Sequence, residues 1–469
     1  MITRRTILTA GTIGLVCGVA ASASAGPAFR LINTQNLDPV CADPTNPLFV
    51  GNNISAIELV TNSTGTHLFV GGFNNNSAVT NVRVVKVENV LGERAFRGMP
   101  DADFPAGTGF GQVTQSRGVT GLNYRPGLGL LVSVDRGSAG PIANTLLFDV
   151  DTQLNPILLA PDLNNLPNQF RGVAGPSWDL GPDINGDGTP DGIDLTGNGE
   201  PDGPAVAVID FSIQNSKFGP AGYKPDTLDA LDTAYLSTSV SDGQGGFITS
   251  GPVLEPTGGQ TIWRDLEIHP RNGIIAARAN NDVLLGFREN DGSVENRLRV
   301  FTNGRTGPTD TEIQVGQQLT IVHDICPGSE NDFVIYNNRP VNSGGQAFAS
   351  VVEFLNVNTG APVSVDFLDE NGQPMVFPDS VGYYSFSWDP ESRLLAISDF
   401  ASGPRTVWIF QAPFNADING DGVVDADDFF TFLSLFAAGD SRADVNNDGV
   451  IDADDFFQFL AAFANPCSF

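Results

Sequence analysis

The chain has 469 residues, with 54 acidic against 24 basic side chains and a formal net charge of -30. A surface so acidic repels phosphate backbones, which argues against nucleic acid as a partner. With 53 Gly and 31 Pro, and no long charge-rich helical pattern before residue 425, an all-β body is expected, and beyond the N-terminus no stretch is apolar for long enough to span a membrane.

The opening "MITRRTILTAGTIGLVCGVAASASAG" has a basic start, an apolar middle and a small-residue end, the pattern of a secretory signal with cleavage near Ala25. "TRRTIL" at Thr3 to Leu8 also fits a twin-arginine signal, so both export routes stay open. Cys17 follows Val16 rather than a small residue, which argues against a lipoprotein anchor. Loss of Arg4 and Arg5 with the leader takes the charge from -30 to -32. The mature chain is expected to be secreted or held at the cell surface. It keeps Cys41, Cys326 and Cys467, enough for one disulfide and one thiol. A Cys41–Cys326 bond would tie the start of the body to its later part, but the spacing does not choose among the pairings.

From about residue 27 to 413 one phrase recurs: an apolar strand, a turn with Pro or Gly, a second apolar strand, a polar loop and a third strand. "GVTGLNYRPGLGLLVSVDRGSAGPIANTLLFDV" from Gly118 shows it most fully. The phrases from Arg264 and Tyr383 repeat the order, with Pro126, Pro270 and Pro390 at equivalent turns. The phrase from Ala56 turns at Gly65 instead, and two more distorted phrases start at Arg171 and Ile321. About six units of three or four strands predict a β-propeller-like body, with five to seven blades open. A pair of β-sandwiches or a β-solenoid is the alternative.

The third unit is interrupted by "DINGDGTPDGIDLTGNGEPDG". Asp183, Asn185, Asp187, Asp191 and Asp194 fall at positions one, three, five, nine and twelve, the ligand order of an EF-hand calcium loop, while Pro190 and Pro201 forbid a following helix. A second set, Asp194, Thr196, Asn198 and Asp202, overlaps it, an arrangement that resembles the tandem calcium loops of thrombospondin type 3 repeats. A glycine-rich loop without an ion is the alternative.

For an active site, His67, His269 and His323 are the only histidines, and no two are close in sequence. Asp179, Asp265, Glu267, His323 and Asp324 sit near comparable starts of units. Gathered around calcium at a channel mouth, at least three of them would resemble the site of a six-bladed calcium-dependent lactonase, with Asp265 or Asp324 as base. No serine elbow, zinc pair, phosphate loop or dinucleotide fingerprint is present. Non-catalytic binding or scaffolding is therefore the first expectation for the body, and a lactonase- or esterase-like hydrolase the alternative.

Near the C-terminus "DINGDGVVDADD" supplies Asp417, Asn419, Asp421, Asp425 and Asp428, with the Val423 carbonyl at position seven. "DVNNDGVIDADD" repeats this with Asp444, Asn446, Asp448, Asp452, Asp455 and Val450. Each loop packs five carboxylates into twelve residues once Asp427 and Asp454 are counted, and a bound Ca2+ would relieve their repulsion. "DDFFTFLSLFA" and "DDFFQFLAAFA" follow, each with Phe and Leu at helical spacing. Two near-identical loop and helix units, 27 residues apart, with no entering helix and Asp at position twelve, resemble a type I dockerin over about residues 415–467. That resemblance implies a calcium-folded module that attaches a secreted protein to a cohesin-like protein partner. Positions ten and eleven hold Ala426, Asp427, Ala453 and Asp454 where such modules carry Ser or Thr, and neither helix has a basic residue. The rings either dock on a partner or form the core between the helices.

Overall fold

The computed structural model describes residues 27–73, 84–92, 94–98, 118–135, 144–148, 150, 157–158, 173–181, 185, 189–193, 200–210, 221–223, 238–241, 247–250, 263–279, 282–288, 294–300, 318–326, 332–338, 351–375, 377, 382–399, 405–419, 423–445 and 450–464. The protein is mainly β, built from several small sheets with a few helices. After β1 (Ala28–Asn36) and the short α1 (Asp38–Cys41) comes a first antiparallel unit of β2 (Asn53–Asn62), β3 (Gly65–Phe73), β4 (Val84–Glu88) and β5 (Ala95–Gly98). The second unit is β6 (Gly118–Arg125), β7 (Gly129–Asp135), β8 (Asn144–Phe148) and β9 (Ile157–Leu158), joined to the first through the Phe73–Gly118 pair.

The third unit is β10 (Val173–Asp179), β11 (Ala205–Asp210) and β12 (Ala221–Tyr223), followed by a hairpin of β13 (Thr238–Ser241) and β14 (Phe247–Ser250). The fourth is β15 (Trp263–Ile268), β16 (Ile275–Ala279), β17 (Asp282–Arg288) and β18 (Val294–Val300), and the fifth β19 (Leu319–Val322), β20 (Phe333–Asn338) and β21 (Val351–Asn356). The chain then runs through β22 (Asp366–Leu368) into β23 (Tyr383–Asp389), β24 (Leu394–Asp399) and β25 (Thr406–Gln411). This last sheet is completed from the other end of the chain: β1 pairs antiparallel with β25, and β22 lies parallel on β1's outer edge.

The expected strand, turn, strand order holds in each unit, with Pro126, Pro270 and Pro390 all between the first strand and the second. The first strands touch in succession: β2 with β6, β6 with β10, β10 with β15, β15 with β19, β19 with β23, and β23 with β2 again. Five of them, β2, β6, β10, β15 and β23, carry a register shift near their N-terminal ends against the second strand of their unit. A bulge adds local twist and re-aims the side chains that follow it.

The core lies between successive sheets. Leu394, Ala396, Val407 and Ile409 of the last unit pack on Ile57, Leu59, Leu68 and Val70 of the first. Ala56, Val60 and Phe69 of the first pack on Leu130, Val132 and Phe148 of the second, and Ala276 and Leu285 of the fourth on Ile321 and Val334 of the fifth. Strands covered on both faces explain why β2 and β24 read as apolar runs with little alternation.

Gly175 shows how closely the strands approach. It has φ 52, and a Cβ there would stand 2.3 Å from the Leu266 amide nitrogen of β15. Gly175→Ala is therefore expected to cost about 1–3 kcal/mol through strain and displacement of β15. A thermal melt of the variant that overlays the wild type would contradict this close approach.

The C-terminal unit contains α2 (Ala426–Ala438) and α3 (Ala453–Ala464). Asp425 caps α2 by accepting the Asp427 amide, the Asp428 carboxylate accepts the Asp425 amide in return, and Gly439 ends the helix in the left-handed region at φ 65. Phe432 and Phe459, at the same place in the two repeats, stack at 4.0 Å and 6°. Phe429 with Phe463 at 5.9 Å and Phe436 with Phe456 at 6.3 Å form a matching exchanged pair on either side. Most rings of the tail thus form the small core between the helices, while Phe430 and Phe457 remain 61% and 63% exposed.

The cysteines correct one expectation. Cys41 is free and buried, its thiol pushed up to about 12 by burial, so a Cys41–Cys326 bond is ruled out. Cys326 is disulfide-bonded, and its partner lies outside the described residues.

Candidate functional site

The six first strands surround a cavity of about 20 Å3 lined by Glu58, Asn123, Asp265, Glu267, Thr320 and Ser385, among others. That holds a water molecule or two but not an organic substrate. Gln318 crosses it, its side-chain amide donating to the Thr120 carbonyl at 2.5 Å.

Among the described residues no strand ladder runs along the inner edges of the first strands, so their amides need acceptors from elsewhere. Side chains of the preceding unit supply them at equivalent positions. Ser387 Oγ accepts the Leu59 amide at 2.8 Å, Glu58 Oε1 that of Tyr124 at 2.8 Å, and Asn123 Oδ1 that of Trp178 at 3.1 Å. Ser177 Oγ accepts the Ile268 amide at 3.0 Å and Glu267 Oε2 that of Ile321 at 3.0 Å. Only the step from the fifth unit to the sixth differs: there the Gln318 amide donates to the Tyr384 carbonyl at 3.0 Å. Asp265 and Ser385 add further bonds of the same kind, accepting the Leu319 and Ile57 amides.

This environment sets the protonation of the carboxyls. Burial pushes Glu58 well above the usual range, opposed by the Tyr124 amide and reinforced by Glu267. Burial likewise lifts Asp265 well above its ordinary value, and it raises Glu267 against the pull of Arg125, whose Nη2 lies 3.8 Å from Oε1.

His269 and His323 directly follow the ends of β15 and β19, and His67 lies in β3. His269 Nδ1 accepts the Arg271 and Asn272 amides, so its proton sits on Nε2 and is shared with Asp332 Oδ2 at 2.8 Å. His323 Nδ1 pairs with Asp324 Oδ2 at 2.8 Å, and the two imidazoles stand 5.5 Å apart. Burial holds His323 down to about 4, although Asp324 pulls the other way. His67 is enclosed by Thr64, Asn62 and the Asn89 amide.

The five residues expected at a channel mouth are therefore not assembled. Asp265 and Glu267 face the cavity, His323 and Asp324 pair with each other, and Asp179 accepts the Gly181 amide at 3.0 Å. No three of Asp179, Asp265, Glu267, His323 and Asp324 converge on one ion position, and among the described residues no cluster of three or more His, Cys, Asp or Glu does so. The sequence reading missed the acceptor role. Its signal is a polar residue at the same place in successive apolar strands: Glu58, Asn123, Ser177, Glu267 and Ser387.

The acidic loops are described in part. Asp421, Asn446, Asp448, Asp183, Asp187 and Asp194 lie outside the described residues. Position twelve is fully enclosed in both C-terminal loops, by Asp428 and Asp455. Asp428 Oδ1 accepts the Ile418 and Asn419 amides at 2.9 and 3.1 Å, and Oδ2 that of Asp425 at 2.9 Å, so one carboxylate fastens the loop's start to its end. Asp455 Oδ2 accepts the Asp452 amide at 2.9 Å. Asp417, Asn419, Val423, Asp425, Asp444, Val450 and Asp452 are half-buried or exposed along the same loops. In the third loop Asn185 and Asp191 meet at 3.0 Å. Oxygen donors of this kind, at EF-hand spacing, suit Ca2+.

No family model matches the chain, and no curated protein does. Among solved structures it is similar to an auxiliary nutrient binding protein from Bacteroides thetaiotaomicron, at 10% identity and a TM-score of 0.44, over 76% of this chain and 70% of that one. It is also similar to a structural genomics protein of unknown function from the same organism, at 8% identity and a TM-score of 0.39, over 77% and 69% of the two chains.

Proposed function

We propose that the chain is an exported, calcium-binding modular protein: a six-bladed β-propeller that binds or scaffolds, carried on a C-terminal dockerin-like unit that attaches it to a protein partner outside the cell. The closed succession of first-strand neighbours supports the propeller. The attachment reading rests on one observation, the exact-period repeat in which equivalent rings Phe432 and Phe459 stack between helices that each follow an acidic loop closed by an enclosed aspartate. The buried carboxyls of the body accept neighbouring backbone amides, which supports binding or scaffolding over catalysis by those groups.

Capture from the envelope and secreted fractions of the producing cell, with calcium and with chelator, tests the proposal. The full mature chain is compared with one ending at Pro413. A protein retained only with both calcium and the C-terminal unit is the expected result; identical capture by both chains would move the search to the body. Calcium is also expected to stabilise the unit, by about 2.7 kcal/mol per site at a hundred times the dissociation constant. In the full chain, chelator should therefore lower an early melting step assigned to residues 415–467, and a melt indifferent to chelator would remove calcium from the account.

A further inference from the structure

Given that the C-terminal unit is an attachment module, as proposed above, we infer that Phe430 and Phe457 are its contact points, each seating in an apolar pocket rimmed by lysine and arginine on a basic protein partner. Among the described residues six large apolar side chains are exposed, and four of them, Val423, Phe430, Val450 and Phe457, belong to this unit. They come as two equivalent pairs, 27 residues apart, so chance scatter does not account for them. The small core has its rings elsewhere: Phe432 and Phe459 stack at its centre, with Phe429 against Phe463 and Phe436 against Phe456 on either side. Phe430 and Phe457 stand outside it, their ring centroids 5.8 and 5.9 Å from those of Phe429 and Phe456.

Each ring stands on a smooth helix face. Ala426, Phe430, Ser434 and Ala437 are all exposed at a spacing that places them on one side of α2, and Ala453, Phe457, Ala461 and Ala464 repeat that spacing on α3. Small neighbours leave the ring projecting and let another surface come close. The charge around it selects that surface. Residues 415–467 contain eleven Asp and one Arg, a charge of -10, and two bound Ca2+ would still leave -6. Asp427 and Asp454, one turn before each ring, are exposed, and Arg442 already donates to Asp440 through Nε and Nη2 at 3.0 and 2.9 Å. Lysine and arginine around the partner's pocket supply the missing complement, speeding encounter and excluding acidic surfaces. A second copy of this chain, at -30, and an anionic lipid surface carry the wrong sign.

The probe is a labelled amphipathic helical peptide of leucine and lysine, followed by fluorescence anisotropy against the full mature chain in calcium. The wild type should bind it, and Phe430→Ala/Phe457→Ala should bind it at least about tenfold more weakly. Alanine favours helix, so the early melting step should persist in that variant. Phe430→Leu/Phe457→Leu should restore binding, and the same peptide with glutamate in place of lysine should not bind. No binding by the wild type, equal binding by the alanine variant, or equal binding of the glutamate peptide would overturn the inference. So would binding to vesicles of phosphatidylcholine and phosphatidylglycerol, or sedimentation as a dimer, if either is lost with the two rings, because the occupant would then be a lipid surface or a second copy. Capture from the envelope separates this outcome from that of the attachment reading: a protein that needs calcium and the C-terminal unit, yet is retained by the alanine variant, leaves attachment standing and removes the rings from it.

Discussion

Asp428→Ala is expected to unfold the C-terminal unit while leaving the body intact. The carboxylate is fully enclosed and accepts the amides of Ile418, Asn419 and Asp425. Alanine leaves three donors without an acceptor, at about 1–3 kcal/mol each, so the loss is at least about 3 kcal/mol. A unit with so small a core has little stability to spare. Calorimetry of the full chain should show the lower transition vanish and the upper one persist. The same substitution at Asp455, which holds the Asp452 amide, should act in the same direction. Retention of both transitions in Asp428→Ala would show that the loop does not depend on its closing carboxylate.

The second large effect concerns pH. Glu58, Asp265 and Glu267 have raised values in the folded protein, so it holds protons there that the unfolded chain has released. Their contribution to stability is complete below the unfolded value of about 4, and is lost as pH rises through the folded values. His323 acts oppositely: its folded value near 4 lies below the unfolded value of about 6.5, so its contribution falls as pH drops between the two. Glu58→Gln isolates the carboxyl contribution, because the amide oxygen still accepts from Tyr124 and carries no charge beside Glu267 and Arg125. The variant should match the wild type near pH 5 and melt higher near pH 8, the gap widening with pH. A variant that melts several degrees lower at pH 8 would show that an ionised Glu58 is needed, and would reopen the cavity as a reactive site.

The sequence revealed the units of the body because proline marks the same turn in three of them and apolar strands flank it. It did not reveal how the last sheet is completed, since pairing β1 with β25 joins segments at opposite ends of the chain without a local pattern. The carboxylates misled for a physical reason. An aspartate that accepts a neighbour's amide and one poised to bind an ion look alike when only residue type and spacing are known, and Asp265 proved to be the former. The two C-terminal helices were legible from their amphipathic spacing, but not which ring of each pair faces inward: Phe429 packs against Phe463 while its neighbour Phe430 stays exposed.

Because β1 and β25 lie side by side, the body can finish folding only when almost all of it has been made. At bacterial or eukaryotic rates of synthesis the first strand waits on the order of half a minute for its mate. During that time Phe29 and Leu31 have no sheet to join. The acidic repeat follows β25 in the chain, so the segment that completes the last sheet is synthesised before the C-terminal unit.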